Sequence, residues 1–182
     1  MFKWKSWEQS VPVVESRHIL GRQRPTLIEV IPTFTTSDRG AALAVAKTTH
    51  QDPKVKFSRH FVLDEATTFM TTPTNRIAGP KGVAIKGLVG IAVCANPVSP
   101  TTFWDVDTHA PVLKRLADLA AELSYYHGIK PRLLSREEFD HWLERPSRRR
   151  GGFYIPHAET DGFPWVEFKL LFDQKMKSFS QY

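Results

Sequence analysis

The sequence predicts an α/β domain with a mixed central β-sheet flanked by helices. Three observations lead there. Leu88 to Ala95, LVGIAVCA, is a continuous apolar run with small residues, as expected of a central strand covered on both faces. Thr26 to Phe34, TLIEVIPTF, is rich in β-branched residues and ends at Pro32 and the TTSD cluster, so it reads as another strand. THAPVLKRLADLAAELSYYHGI aligns Val112, Leu116, Leu119, Leu123 and Tyr126 on one stripe, the pattern of a long amphipathic helix.

The remaining elements follow in chain order. Residues 1–25 read as an N-terminal arm. Met1 to Ser10 alternates aromatic and basic groups, then VPVVES forms a short extended piece and GRQRP a linker. Phe2, Trp4 and Trp7 are costly to leave in water, so they are candidate docking residues, on the chain's own domain or on a partner. After the first strand, Ser37 is positioned to cap a helix through Ala41, Ala42, Leu43, Val45 and Ala46. FSRHFVLD, Phe57 to Asp64, reads as a second strand, with TTFMTTP returning as a third beside it. Thr108 is the expected N-cap of the long helix and Gly128 its stop. A capping box from Ser135 to Glu138 opens a further helix that carries Phe139, Trp142 and Leu143 and ends at Pro146. SRRRGG is a basic loop. VEFKLLFDQKMKSF, after the turn DGFP, is a terminal amphipathic helix. Domain limits are placed at 26–172, with 173–182 as a C-terminal tail.

The totals bound the function. A length of 182 residues suits one domain with appendages, and 41% hydrophobic with 24% charged residues suits a packed core. The net charge of +6 attracts polyanions without choosing among them. No RNA-binding, zinc-finger or basic-zipper signature accompanies it, which argues against a nucleic-acid partner. The single cysteine, Cys94, excludes an intrachain disulfide and a multi-cysteine zinc site. No run approaches the ~18 apolar residues of a membrane span. MFKWKSWEQS lacks the apolar stretch of a signal peptide, so synthesis in the cytoplasm is expected.

Several phrases, in order and spacing, resemble the type 2 N-acetylmuramoyl-L-alanine amidases, whose fold is shared by peptidoglycan recognition proteins and phage endolysins. FSRHFVLDEATTF resembles the family's "S-x-H-hydrophobic-hydrophobic-x-D-x-x-G" strand and hairpin, and LVGIAV its "IGIE" strand. LKRLADLAAELSYYHGI resembles its long helix, and HAETDGFPWVEF its closing "H…TDPG…FPW…F" segment. The resemblance spans roughly Thr26 to Phe172. It implies a hydrolase that cleaves the bond between muramic acid's lactyl group and L-alanine. One zinc would be held by a His ending the first strand, a late His, and a Cys, His or Asp soon after, with a Glu or Tyr assisting proton transfer.

Carried over residue by residue, the resemblance assigns His157 to the late His and Asp161 to the third ligand. Pro32 and Thr33 stand where the first His belongs, and neither grips zinc. Gly90-Ile91-Ala92 replaces the acidic strand, so Ala92 stands for the carboxylate, and Glu159 replaces a Lys. Each missing ligand removes a large share of metal affinity. The resemblance therefore implies a degenerate site with no catalytic residue and no cofactor, zinc returning only if the chain is active.

Other residues carry two readings each. Cys94 lies two residues beyond Ala92 on the same face; it is a substitute metal ligand or, more plainly, a buried core thiol. Arg59 stands where some relatives carry a Tyr near the metal, and is a candidate to bind a carboxylate. Arg148, Arg149 and Arg150 are a solvated loop or a steering patch for an anionic partner. His60 reads as a satisfied structural histidine, and His50, His109 and His127 as solvated or capping residues. The reading that gathers these is a degenerate amidase-like component of a phage virion, at the tail tip. It would contact peptidoglycan or dock on other tail proteins as part of a homo- or hetero-oligomer. An active zinc amidase with an unorthodox ligand set and a basic nucleic-acid-binding module are the alternatives.

Overall fold

The computed structural model describes residues 11–14, 19–36, 39–51, 59–78, 85–99, 103–145, 150–156 and 162–180. Its strands are β1 (Ile19–Arg22), β2 (Leu27–Phe34), β3 (Phe61–Leu63), β4 (Thr68–Met70), β5 (Arg76–Ala78), β6 (Leu88–Ala95) and β7 (Phe153–Tyr154). Its helices are α1 (Ala41–Gln51), α2 (Ala110–His127), α3 (Arg136–Glu144) and α4 (Trp165–Phe179). The main sheet runs β4-β3-β6-β2-β7, and β1 pairs with β5 in a separate antiparallel ribbon. All pairings of the main sheet are parallel except β3 with β4. This is the mixed sheet with flanking helices that the sequence predicts.

All eight residues of β6 are buried, because the strand is central and both its faces are covered. One face carries Ile28, Val30, Phe61, Ile91 and Val93, packed under the apolar stripe of α2 and under Phe168 and Phe172 of α4. The other face is covered twice. Near the carboxyl ends of the strands, Ala42 and Ala46 of α1 sit on Val62, Ala92 and Cys94. At the opposite ends, Phe139 and Trp142 of α3 cover Leu27, Leu88 and Tyr154. Asp64 ties α1 to this arrangement, its carboxylate accepting from the amides of Ala42 (2.9 Å), Ala66 (2.9 Å) and Thr67 (2.7 Å).

Three local expectations need correction. The N-cap position of α2 falls on His109, not Thr108, and the His109 side chain makes no cap hydrogen bond. The Asp105 carboxylate takes the Thr108 amide at 2.8 Å and draws that residue into the preceding turn. The His109 ring is then buried, with Nδ1 accepting from the Asp105 amide (3.1 Å) and Nε2 facing the Asn96 carbonyl (2.9 Å), so it is not solvated. The second strand begins only at Phe61, because the His60 ring Nδ1 takes the Gly90 amide (3.1 Å) where a strand carbonyl would bond. Its predicted start at Phe57, like the Ser37 cap, lies outside the described residues.

Elsewhere the local reading holds. Gly128 stops α2 at φ 69°, its amide bonding to Ser124. The Ser135–Glu138 capping box opens α3. Of the N-terminal segment, residues 12–14 lie along β4: Val14 donates to the Met70 carbonyl (3.0 Å) and Met70 to that of Pro12 (2.9 Å). That covers an edge which would otherwise expose a row of unpaired amides. Among the described residues, no helix is long and apolar enough to cross a membrane.

His60 is buried and neutral. Gly90 occupies its Nδ1, so the proton sits on Nε2, which donates to the Arg76 carbonyl at 2.8 Å. Burial lowers its pKa to about 4. The unfolded chain takes up that proton near the ordinary value of 6.5, so stability is full above that pH and falls as pH drops towards 4. The loss approaches about 3 kcal/mol. Urea unfolding at pH 7, 6 and 5 should show this decline, and His60→Gln should reduce it, the remainder coming from His127, whose pKa burial also lowers to about 4; an unchanged slope would refute the assignment. A second expectation concerns Gly152, where a Cβ would lie 2.5 Å from the Arg132 carbonyl oxygen and against Leu134. Gly152→Ala should cost about 1–3 kcal/mol by the denaturation midpoint, whereas Gly21→Ala, with open space around it, should stay within about 0.5 kcal/mol.

Candidate functional site

Between the apolar patches under α1 and α3, the same sheet face has a gap in its apolar lining, where polar side chains stand. Across one register row lie Tyr154 of β7, Glu29 of β2 and Gly90 of β6, paired Glu29 to Tyr154 and Glu29 to Gly90. Arg59, just before β3, completes the row by lying across Gly90: a Cβ on that glycine would come within 2.6 Å of the Arg59 Cδ. The Arg59 carbonyl is held by the Thr71 hydroxyl. The side chain thus passes from the β3 side over β6 towards the carboxylate on β2. Burial pushes the Glu29 carboxyl up, partly offset by Arg59, and pushes the Arg59 guanidinium down, partly offset by Glu29. Each is the other's charge partner in a largely desolvated place. At the α3 side, Arg136 Nη1 reaches the Tyr154 hydroxyl at 3.4 Å.

Further along the same face, towards the carboxyl ends of the strands, stand Ile31 and Thr33 beside Ala92 and Cys94. Parallel pairing sets Thr33 level with Cys94, and strand alternation keeps it on this face. Pro32 pairs with Val93 and so belongs to the opposite face, against the α2 side. Of the two residues at the end of β2, Thr33 therefore faces the gap, and its hydroxyl donates to the Ile31 carbonyl at 3.4 Å. Ala92 is almost fully buried.

The sequence-predicted residues are distributed unevenly. His157, Asp161, Arg148, Arg149, Phe2, Trp4 and Trp7 lie outside the described residues. Cys94 is buried under α1, its thiol pushed up to about 12 by burial and by Asp64, so it is held protonated. Arg150 is exposed, its carbonyl accepting from Arg132 Nη2 at 3.4 Å. Among the described residues, no three His, Cys, Asp or Glu side chains are grouped to hold a metal ion. Arg59 alone of the predicted set lines the gap. The residues that sequence reasoning missed are Glu29 and Gly90. The available signal was a lone acid inside the apolar strand LIEVI, but its partner arrives only through tertiary packing.

No protein-family model and no curated protein matches the chain. Solved structures do. A mutant endolysin from Bacillus subtilis matches with a TM-score of 0.57 at 18% identity, over 89% of this chain and 99% of that one. The PlyG catalytic domain matches at 0.59 and 13%, over 91% and 94%. The endolysin N-acetylmuramoyl-L-alanine amidase LysCS from Clostridium intestinale URNW matches at 0.54 and 14%, over 88% and 93%. The chain has the fold of these endolysin catalytic domains, as the phrases in its sequence imply. It spans nearly the whole of each, so the likeness is to a complete catalytic-domain fold.

The Glu29–Arg59 pair should behave as a unit. Because burial outweighs the attraction of Arg59 at Glu29, Glu29→Gln is expected to leave stability at pH 7 unchanged or slightly raised, within about 1 kcal/mol. Arg59→Met should be less costly in chemical denaturation when Glu29→Gln is already present. Strictly additive effects would show that the two side chains do not interact.

Proposed function

We propose that this chain is an amidase-like module that binds peptidoglycan without hydrolysing it, carried on a phage particle. The observation that carries the reading is the makeup of the sheet face towards the carboxyl ends of β2 and β6. Thr33, level with Cys94, and Ala92, level with Ile31, stand on one face where the family resemblance calls for an imidazole and a carboxylate. The donor chemistry there does not fit zinc: Thr33 is a neutral hydroxyl, Ala92 has no donor, and the Cys94 thiol stays protonated beneath α1. His157 and Asp161 would then be two residual donors, too few to hold the ion firmly. Loss of chemistry leaves the cleft itself, a covered sheet with a polar floor, as a binding surface.

A tail-tip position suits such a module, which can hold the particle against the wall without cutting it. The arm with Phe2, Trp4 and Trp7 offers apolar area for docking on other tail proteins, and Arg148, Arg149 and Arg150 offer positive charge towards anionic wall polymer. Incubation with purified cell walls tests the reading. The protein is expected to pellet with the walls, release no new L-alanine amino termini, and carry well under one zinc per chain. Muropeptide cleavage with stoichiometric zinc would restore the active-amidase alternative. Failure to pellet, with salt-sensitive retention on DNA instead, would favour the nucleic-acid reading. Deleting residues 1–10 should abolish binding to tail proteins while leaving wall pelleting intact.

A further inference from the structure

We infer that the β1–β5 ribbon is an acid-released flap, which covers the His60 ring and lifts when that ring takes up a proton. The device is independent of what the chain binds, so it stands or falls apart from the proposed function.

The ribbon is attached lightly. None of its residues, Ile19–Arg22 and Arg76–Ala78, is fully buried. Among the described residues, none belongs to the apolar clusters that join the main sheet to its helices. Polar ties hold it instead. Gln23, which follows β1, donates from its side-chain amide to the carbonyls of Thr74 (3.0 Å) and Leu88 (3.1 Å), and its oxygen accepts from the Gly87 amide (2.9 Å). Arg76, at the start of β5, offers its carbonyl to His60 Nε2 at 2.8 Å. In the turn before β5, the Thr74 hydroxyl hydrogen-bonds with His127 Nε2 of α2 at 3.2 Å. The His60 ring therefore has two covers. Nδ1 rests on the Gly90 amide of the central strand, and Nε2 is capped by Arg76 and by the Gln23 side chain, 2.8 Å away. Exposing the ring from the sheet side would pull β6 out of two parallel pairings. Exposing it from the ribbon side breaks a few polar ties.

A second proton does not fit while the ribbon is closed. Nε2 already carries one, so the next goes to Nδ1, where it meets the Gly90 amide, donor against donor. The charged or titratable groups that face the two rings are all bases: Arg59 beside His60, His127 across from it, and Arg24 beside His127. Burial, with these bases, lowers both histidines to about 4, against a smaller upward pull on His60 from the Arg76 carbonyl. Water returns each ring towards its ordinary value of 6.5, so each proton taken up favours the lifted state. The closed state is fully favoured above that pH and loses ground as pH falls towards 4. Lifting the ribbon brings water to the ring with little apolar surface exposed, and local openings of this kind need far less free energy than unfolding the sheet.

Site-resolved native-state hydrogen exchange on the full chain tests the flap, with rates corrected for the intrinsic effect of pH. The amides to follow are Gly87, bonded to the Gln23 side chain, and Gly90, bonded to the His60 ring, because lifting sets both free. Between pH 7 and pH 5 their protection should fall about twentyfold for each histidine that the lift hydrates. Their exchange should respond little to sub-denaturing urea, whereas the Val93 amide, deeper in β6, should respond steeply, because only its exposure requires large-scale unfolding. His60→Gln should remove the share of the pH effect that His60 contributes. A urea response at Gly87 and Gly90 as steep as at Val93 would show that the ribbon does not lift separately from the sheet. Protection that is unchanged from pH 7 to pH 5 would show that no histidine is hydrated by the lift. Either result in the unaltered chain overturns the flap, as does an undiminished pH effect in a folded His60→Gln variant.

Discussion

The central strand β6 is enclosed on both faces, so each of its backbone polar groups must be satisfied inside the protein. At Gly90 that demand is met in an unusual way. The Gly90 carbonyl accepts from the His60 amide at 2.8 Å, but its amide bonds to the His60 ring. A side chain thus stands in for a strand carbonyl, and β3 starts only at the next residue. The residue before His60 is thereby released from the ladder, and its side chain crosses the sheet. The position of Arg59, its meeting with Glu29 and the polar floor of the gap all follow from that one rung.

Helix placement gives the floor its meaning. α1 and α3 each cover an apolar patch on the same sheet face; α3 reaches Tyr154 through Phe139, and the rest of that row carries Glu29 and Gly90. Polar groups are tolerated where solvent or a ligand can reach them and excluded where a helix seals the sheet. The same reasoning explains Cys94. It is only four residues along β6 from Gly90, but it is under α1, where burial and Asp64 keep its thiol protonated. Two residues of one strand, on one face, have opposite chemical prospects because a helix covers one and not the other.

The likeness to endolysin catalytic domains at 13–18% identity reflects how such a fold is specified. An apolar central strand, a long amphipathic helix and a short capped helix tolerate many sequences that preserve the pattern. Ligand and acid positions tolerate almost none. The same packing pattern accommodates Thr33 and Ala92 on this sheet face, with Ala92 buried among the apolar residues around it.

Much of the architecture was legible in the chain. The LVGIAVCA run gave the buried strand, the stripe from Val112 to Leu123 gave the packed face of α2, and Ser135, Glu138 and Gly128 gave helix limits, because each signal is local and set by hydrogen bonds a few residues apart. Thr108 misled for the complementary reason: Asp105 competed for its amide. The pairing of Glu29 with Arg59 lies 30 residues apart in sequence and depends on strand order, register and the missing side chain at Gly90. Nothing in local propensity encodes such a meeting. Sequence alone determined which segments would be strands and helices; tertiary structure decided which side chains would share the gap, since only parallel pairing of β2 with β6 and the detour at His60 bring them to one row.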